Sequence, residues 1–445
     1  MASATLTSPN ASAPSALATA LERWRTALGD AHVLSGKDSC LDYGRTTLPT
    51  APAPVAIVRP GSTRDVQAVV KIAAQYGIGL HPISCGKNWG YGDMCPQGEG
   101  QVIVDLRRMN RILEVNEELA YAVIEPAVSQ GQMHTHLWET NSRLMLDVTG
   151  AGPTASIVGN TLQRGFGHTP YGDHFEHCCN LEVVLPDGEV VNTGFGRFPQ
   201  AKAAHLFKWG QGPYTDGLFT QSNAGIVTRM TIHLMPRPPV IEAFAMRLTD
   251  DQLGEAVDVL RELRLAELVQ STVHIGNDLR VLSSRERYRD EIAAAPSPLP
   301  VDLRARLRRD AGLGPWNLFG GLYGPKEFRR ARRALLRKSF RKLGRVLFFD
   351  RRKIDLGLRV TASLKSWHLA VRLHETLANA DSAFQLLEGT PTPDHLRGTG
   401  WRQAQSPTEE SMRDVGLIWF SPILPMRGPE CRELMGELHA TIAEH

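Results

Sequence analysis

The chain has no apolar window approaching the ~18 consecutive residues of a membrane helix, so nothing in it reads as a spanning segment. Its six cysteines, at positions 40, 85, 95, 178, 179 and 431, follow no short regular spacing, which excludes a disulfide framework. Adjacent Cys178 and Cys179 would pair only with strain. Reduced thiols point to the cytoplasm, with the periplasm as the alternative. Charge of one sign is also scarce. Fifty Lys and Arg against 47 Asp and Glu leave a formal net charge of +3, too little for a nucleic-acid footprint. There is no Gly-x-Ser-x-Gly elbow, no P-loop and no pair of carboxylates placed for glycosidase chemistry. No internal repeat occurs. Residues 1–17 are rich in Ala, Ser, Thr and Pro but lack the basic start and continuous apolar core of a signal peptide, so a disordered leader is expected there.

What is present is ordinary globular material. The 445 residues are 42% hydrophobic and 22% charged, enough for two or three domains with sizeable cores. A helix is expected over 18–28. A strand over 55–58 then meets a turn at Pro60-Gly61. Ser62 or Thr63 can cap the next helix, with Asp65 in its first turn and Val66, Val69, Val70, Ile72 and Ala73 on one face. A strand over 78–83 completes a strand–helix–strand unit. Short β-rich runs follow at 101–106, 112–115 and 120–125, then a helix over 129–141 and a strand over 144–148. Pro186-Asp-Gly188 joins two strands as a hairpin. A strand over 225–235 leads to Pro236-Arg-Pro-Pro239, where a domain boundary is placed. Beyond it the composition reads as α+β: helices over 250–265 and 326–345, strands over 346–349 and 416–420, and a last helix from Glu430. The helix over 326–345 carries ten Lys and Arg. It reads as a solvated face or a dock for an acidic protein partner.

The most informative stretch is Pro82-Ile-Ser-Cys-Gly-Lys-Asn-Trp-Gly-Tyr-Gly92, an apolar strand end running into a turn with three glycines. Glycine admits φ > 0 and lets a ligand approach the amides. Successive N–H groups in such a turn make an anion site, and a diphosphate suits it. The bland alternative is an ordinary Gly-rich loop. Gly150-Ala-Gly152-Pro-Thr-Ala155 matches a bare dinucleotide fingerprint, but Pro153 and Gly159-Asn160 interrupt the helix that a Rossmann unit requires. His174 and His177, with Asp173 and Cys178, have the chemistry of zinc ligands. No second Cys/His pair lies at a finger-like distance, so no metal is expected and a polar loop against a flat cofactor is the better reading.

Seven motifs in register resemble a known family. They are Pro82–Gly92, Val123-Ile-Glu-Pro126, Ser156-Ile-Val-Gly-Asn-Thr161, Gly167-His-Thr-Pro-Tyr-Gly-Asp-His174, Glu182-Val-Val-Leu-Pro-Asp-Gly188, Gly212-Pro-Tyr-Thr-Asp-Gly217 and Gln221-Ser-Asn-Ala-Gly-Ile-Val227. Together they resemble the flavoproteins of the vanillyl-alcohol oxidase and p-cresol methylhydroxylase family. The match is strong over 55–239 and looser to about Gly428. It implies an α+β fold: a two-subdomain FAD-binding domain of the PCMH type over 18–239, then an α+β cap domain over the flavin ring, 240–445. Relatives run on well beyond the position matching His445, so the cap is expected to be incomplete at its C-terminal end. A Tyr-Arg pair that grips the phenolate in relatives would be missing with it.

The resemblance also assigns residues. Ser84, Cys85, Gly86, Lys87, Asn88, Trp89, Gly90 and Gly92 would hold the FAD diphosphate. Gly159, Asn160, Thr161, Tyr171, Gly172, Asp173 and His174 would line the cofactor, and Gly225, Ile226 and Val227 would lie along the flavin or adenine. Tyr91 would be catalytic, touching the phenolic oxygen of a 4-alkylphenol or 4-hydroxybenzyl alcohol whose benzylic hydride passes to FAD through a quinone methide. Where vanillyl-alcohol oxidase has an aspartate near the flavin, this chain has Thr149-Gly150-Ala151, which favours a hydroxylating dehydrogenase over an oxidase. His168 stands where a tyrosine is frequent in the family. No flavin anchor stands out around Trp401, so the FAD is expected to be non-covalent. Expected partners are a small phenolic substrate, a cytochrome c-type electron acceptor and further copies of the chain in a homo-oligomer, with no nucleic acid and no membrane. The alternatives are a flavin hydroxyacid dehydrogenase and a truncated flavin-binding protein without catalysis.

Overall fold

The computed structural model describes residues 14–364, 368–401, 403 and 405–444. The expected leader lies outside them except for its last four residues, which open the helix Pro14–Leu28. The chain forms two compact units. One comprises the chain up to Ser129, Ala155–Arg164 and His177–His233; the other comprises Gln130–Thr154, Gly165–Glu176 and Leu234–His445. Two segments from within 18–239 thus pack with the later half of the chain.

The first unit has two sheets. In the four-stranded one, Val102–Asp105 lies parallel to both Ala56–Val58 and Leu80–Ile83, and Val33–Leu34 pairs antiparallel at the edge. The helix Thr63–Tyr76 connects two of these strands. Ser62 Oγ accepts from Asp65 N at 3.2 Å at its start, and Gly77, at φ 63°, closes it. Val66 and Val69 are fully buried against Trp24, Val58 and Val104, contacts worth about 1.5–3 kcal/mol for each such side chain. The five-stranded antiparallel sheet runs Ile112–Asn116, Tyr121–Ile124, Ile226–His233, Cys178–Val184, Val190–Asn192. Its outer hairpin turns at Pro186-Asp-Gly188, with Gly188 at φ 82°.

The second unit is built on a four-stranded antiparallel sheet, His274–Asn277, Trp316–Gly324, Val240–Leu248, Leu347–Phe349. Helices Leu253–Leu265 and Arg329–Ser339 bury Leu260, Leu263 and Leu336 in a core with Phe244, Leu318 and Phe340. The basic helix is shorter than its charge run. It ends at Ser339, and Phe340 turns into the core. Part of its charge is spent internally, because Arg329 (2.8 Å) and Arg333 (2.7 Å) both hold the buried carboxylate of Glu242. The expected strand at Gly416–Phe420 is not formed. Ile418, Trp419 and Phe420 are exposed, and no strand among the described residues pairs with them. All six cysteines are free thiols, and no described helix is long and apolar enough to cross a membrane.

Candidate active site

The strand Leu80–Ile83 delivers the chain into the turn of the first unit that begins at Ser84. Three glycines there take left-handed conformations: Gly86 (φ 66°), Gly90 (79°) and Gly92 (108°). Gly86 is forced sterically as well, since a Cβ on it would lie 2.1 Å from Met94 Cγ. The turn is pinned from inside. Trp89, Met94 and Cys95 are buried, Gly90 N donates to Thr47 Oγ1 at 2.9 Å, and Asp93, at φ 56°, accepts from Thr46 Oγ1 (2.8 Å) and Thr47 Oγ1 (3.0 Å). Lys87 Nζ lies 4.9 Å from the centre of the Trp89 ring, and Cys85 Sγ reaches Ala127 O at 3.5 Å. Among the described residues, the backbone N–H groups of Gly86, Asn88 and Gly92 have no hydrogen-bond partner within the protein. A fixed turn with amides to offer fits a dinucleotide diphosphate. Tyr91, unlike these anchors, is 52% exposed.

Ser84 packs onto the first turn of the helix Ile157–Leu162. That helix is capped by Ser156, whose Oγ accepts from Gly159 N (2.8 Å) and donates to Pro126 O (2.6 Å). A Cβ on Gly159 would sit 2.4 Å from Ser84 Oγ, so glycine is what allows the turn and the helix to touch. Gly159→Ala is therefore expected to displace the turn and weaken FAD binding about tenfold or more, about 1.4 kcal/mol, read by titrating the apoprotein with FAD. Thr161 is buried and donates to Ile157 O at 2.9 Å, so its hydroxyl serves the helix; Asn160 is half-buried beside it. Gly225 is needed because a Cβ there would meet Val183 Cγ1 at 2.5 Å. Ile226 and Val227 are buried, Ile226 in the core described above, and both pair with Val183 and Val184 in the five-stranded sheet.

The remaining expected residues lie in the second unit. Tyr171 packs against Met145, Tyr323 and Phe384. Gly172 sits where a Cβ would be 2.6 Å from Thr272 Oγ1, and Asp173 Oδ1 accepts from Glu176 N at 3.0 Å. His174 Nε2 bonds Asp147 Oδ2 at 2.8 Å. Asp147 is the residue that motif reading missed. Its other oxygen accepts from His168 N (3.0 Å) and Thr169 N (2.8 Å), and a Cβ on Gly167 would fall 1.8 Å from Oδ2. Burial pushes the Asp147 pKa up. The His174 ring, the Thr169 N–H and His168 outweigh burial and hold it below the ordinary carboxylate range. The one sequence signal was a lone aspartate inside the apolar run Leu144-Met-Leu-Asp147-Val148.

Beside this loop stand three more imidazoles. His168 donates from Nδ1 to Val148 O at 3.0 Å, stacks on His274 with ring centres 4.9 Å apart, and approaches His395 at 6.4 Å. Phe166 flanks His274 at 6.4 Å. Burial first, then the neighbouring positive groups, lower all three: His168 below its usual value, His274 to about 3 and His395 to about 4. These rings are neutral at pH 7 and able to take part in hydrogen bonds as donors or acceptors. His274 and His395 belong to no local motif, and only tertiary packing brings them to His168. Among the described residues no group of three or more His, Cys, Asp and Glu could hold a metal ion.

Residues 54–194 match a family model described as an FAD binding domain. The chain is 41% identical over 415 residues to the 1'-carboxy-chondrochloren decarboxylase of Chondromyces crocatus, covering 92% of this chain and 76% of that protein. It is 35% identical over 418 residues to the 4-cresol dehydrogenase [hydroxylating] flavoprotein subunit of Pseudomonas putida, covering 93% and 74%. Among solved structures it is similar to the 4-ethylphenol oxidase of Gulosibacter chungangensis in complex with isoeugenol, with TM-score 0.84, 30% identity and coverage of 97% and 79%. With the turn, the cradle at Gly159 and this likeness along nearly its whole length, the chain belongs to the vanillyl-alcohol oxidase and p-cresol methylhydroxylase family and is an FAD-dependent oxidoreductase of the PCMH-type fold.

Proposed function

We propose that the protein oxidises 4-alkylphenols or 4-hydroxybenzyl alcohols at the benzylic carbon, as a hydroxylating dehydrogenase in preference to an oxidase. The observation that carries this reading is Tyr91. It is an exposed phenol held between two left-handed glycines on the same turn that offers amides to a diphosphate. A phenolic substrate loses a benzylic hydride only when its ring pushes electrons outward, which requires the phenol to become a phenolate. The Tyr91 hydroxyl would donate to that developing oxyanion, and such a donor lowers the barrier by stabilising charge that builds in the transition state. Bound FAD supplies the hydride acceptor. With the phenolic proton and the hydride gone, the substrate is a quinone methide. Water then adds its hydroxyl to the benzylic carbon and its proton to the ring oxygen, giving the alcohol. Ser84–Gly92 and Gly159–Thr161 would bind the diphosphate end of the cofactor, and Gly225–Val227 would lie along it. Asp147, with its charge fixed, orients His174 in the segment Tyr171–His174.

The 4-cresol relative is named as a flavoprotein subunit, which supports a protein electron acceptor of the cytochrome c type for this chain too. The Chondromyces relative is named for a carboxylated substrate, so phenols carrying a carboxyl group belong among the compounds to try. The test is turnover of 4-cresol and 4-ethylphenol with an artificial electron-accepting dye and, separately, with oxygen. A benzylic alcohol whose oxygen comes from labelled water, formed faster with the dye, is the expected result. Stoichiometric hydrogen peroxide at equal rate would make the protein an oxidase, and no product from any 4-alkylphenol would remove the substrate class.

A further inference from the structure

We propose that the cationic face of residues 326–345, within the second unit, docks on a membrane surface rich in anionic phospholipid. Ten of these residues are Lys or Arg and one, Glu327, is acidic. The segment carries a net charge of +9 and the whole chain +3, so everything outside it sums to −6. A chain with its positive charge concentrated in this way is steered by that segment toward an anionic surface.

The structure separates the cations that the fold uses from those that it does not. Arg329 and Arg333 hold Glu242, Arg329 also reaches Asp350, and Arg332 donates to Tyr323 O. The other seven are exposed, and among the described residues none of them has an ion pair. Local stability does not ask for them. A solvated helix face interleaves Glu with Lys or Arg three or four positions apart, whereas no carboxylate stands between Phe328 and Phe349. The first turn of the helix Arg329–Ser339 has no acidic residue. Arg329, Arg330 and Arg332 sit there instead, against the helix dipole. Arg330, Arg337 and Lys338, at i, i+7 and i+8, share one side of the helix. Arg341, Lys342 and Arg345 continue the charge through the turn and the link to the strand Leu347–Phe349.

Three exposed apolar side chains in the same stretch select the occupant: Phe328 (55%), Leu335 (40%) and Leu347 (43%). A duplex nucleic acid offers phosphates with no apolar layer behind them. A protein interface is depleted in Lys and packs around an apolar centre, and here cations separate the three apolar residues along the chain. A leaflet of anionic lipid takes both kinds of side chain. Its headgroups attract clustered cations without a matched geometry, and its acyl boundary accepts exposed Phe and Leu. The expectation of no membrane partner rested on the lack of a spanning segment. No described helix is one, and docking on the surface requires none.

The experiment sediments the FAD-loaded protein with vesicles of phosphatidylcholine alone or of equal parts phosphatidylcholine and phosphatidylglycerol. At about 0.1 M salt, where the Debye length is about 10 Å, the mixed vesicles are expected to bind about tenfold more tightly or better. At about 1 M salt, where it is about 3 Å, that preference is expected to vanish. Each cation near an anionic leaflet contributes about fivefold in affinity. Lys338→Gln alone should therefore weaken binding about fivefold, and Arg330→Gln, Lys338→Gln, Arg341→Gln and Lys342→Gln together about a hundredfold or more. FAD content and the thermal midpoint should stay unchanged, since these four side chains hold nothing within the protein among the described residues. Equal binding to the two kinds of vesicle at low salt overturns the proposal, as does unchanged binding in the combined variant. Preference for polyglutamate or duplex DNA over the mixed vesicles at equal anionic charge also overturns it, and would assign the face to an acidic protein or to a nucleic acid.

Discussion

Tyr91→Phe is expected to lower turnover of a 4-alkylphenol by about 10²–10³-fold, the typical cost of removing one fixed oxyanion donor, while FAD stays bound. The split follows from where the parts of the residue point. The backbone of Tyr91 helps shape the turn, its N–H donating to Asn88 O at 3.0 Å, and phenylalanine preserves that bond. The buried anchors are Trp89 and Met94, which the substitution leaves alone. What it removes is a hydroxyl on an exposed ring. FAD affinity by titration and kcat for 4-ethylphenol are the two readings. A parallel loss in both would make Tyr91 a structural residue and take away the main support for phenol oxidation.

The turn was legible because its chemistry is local. Glycines at 86, 90 and 92 adopt the positive φ that their spacing anticipated, and the cap at Ser62 with the apolar face of Thr63–Tyr76 formed where the periodicity placed them. Expectations that needed partners fared differently. Gly416–Phe420 is rich in strand-forming side chains, but a strand exists only when another pairs with it, and none of the described strands does. The long strands Val240–Leu248 and Trp316–Gly324 pair over nine residues, yet their Gly and Arg interruptions hid the alternation. Asp147 and His174 stand 27 positions apart and meet through a loop. A pattern read along the chain gives neither the distance nor the burial that fixes the charge on Asp147.

Asp147→Ala carries the second large effect. It removes the acceptor for two backbone N–H groups and for His174 at once. Removing one partner from a buried ionic hydrogen-bonded set costs about 3–5 kcal/mol, expected here as a fall in unfolding free energy by denaturant titration. The pH dependence separates this carboxylate from its neighbours. Its pKa is held below the ordinary value, so its contribution is complete above about pH 4 and is lost as pH falls through its lower folded value. His274 and His395 act in a different window. Their folded pKa values, about 3 and about 4, lie below the unfolded value, so the unfolded chain takes up their protons first and stability declines as pH drops below about 6.5. Wild-type protein should lose stability in both windows. Asp147→Ala should keep the decline that starts near pH 6 and lose much of the one below pH 4. An unchanged profile in the variant, with unchanged stability at pH 7, would mean that Asp147 does not hold the 166–174 loop.

The most direct test of the account is to mix FAD-loaded protein with 4-cresol without oxygen and follow the long-wavelength flavin absorbance. Transfer of the benzylic hydride predicts rapid bleaching, with 4-hydroxybenzyl alcohol formed in the amount of flavin reduced, and recovery of colour when an electron-accepting dye is added. A flavin that stays oxidised in saturating 4-cresol and 4-ethylphenol would contradict it.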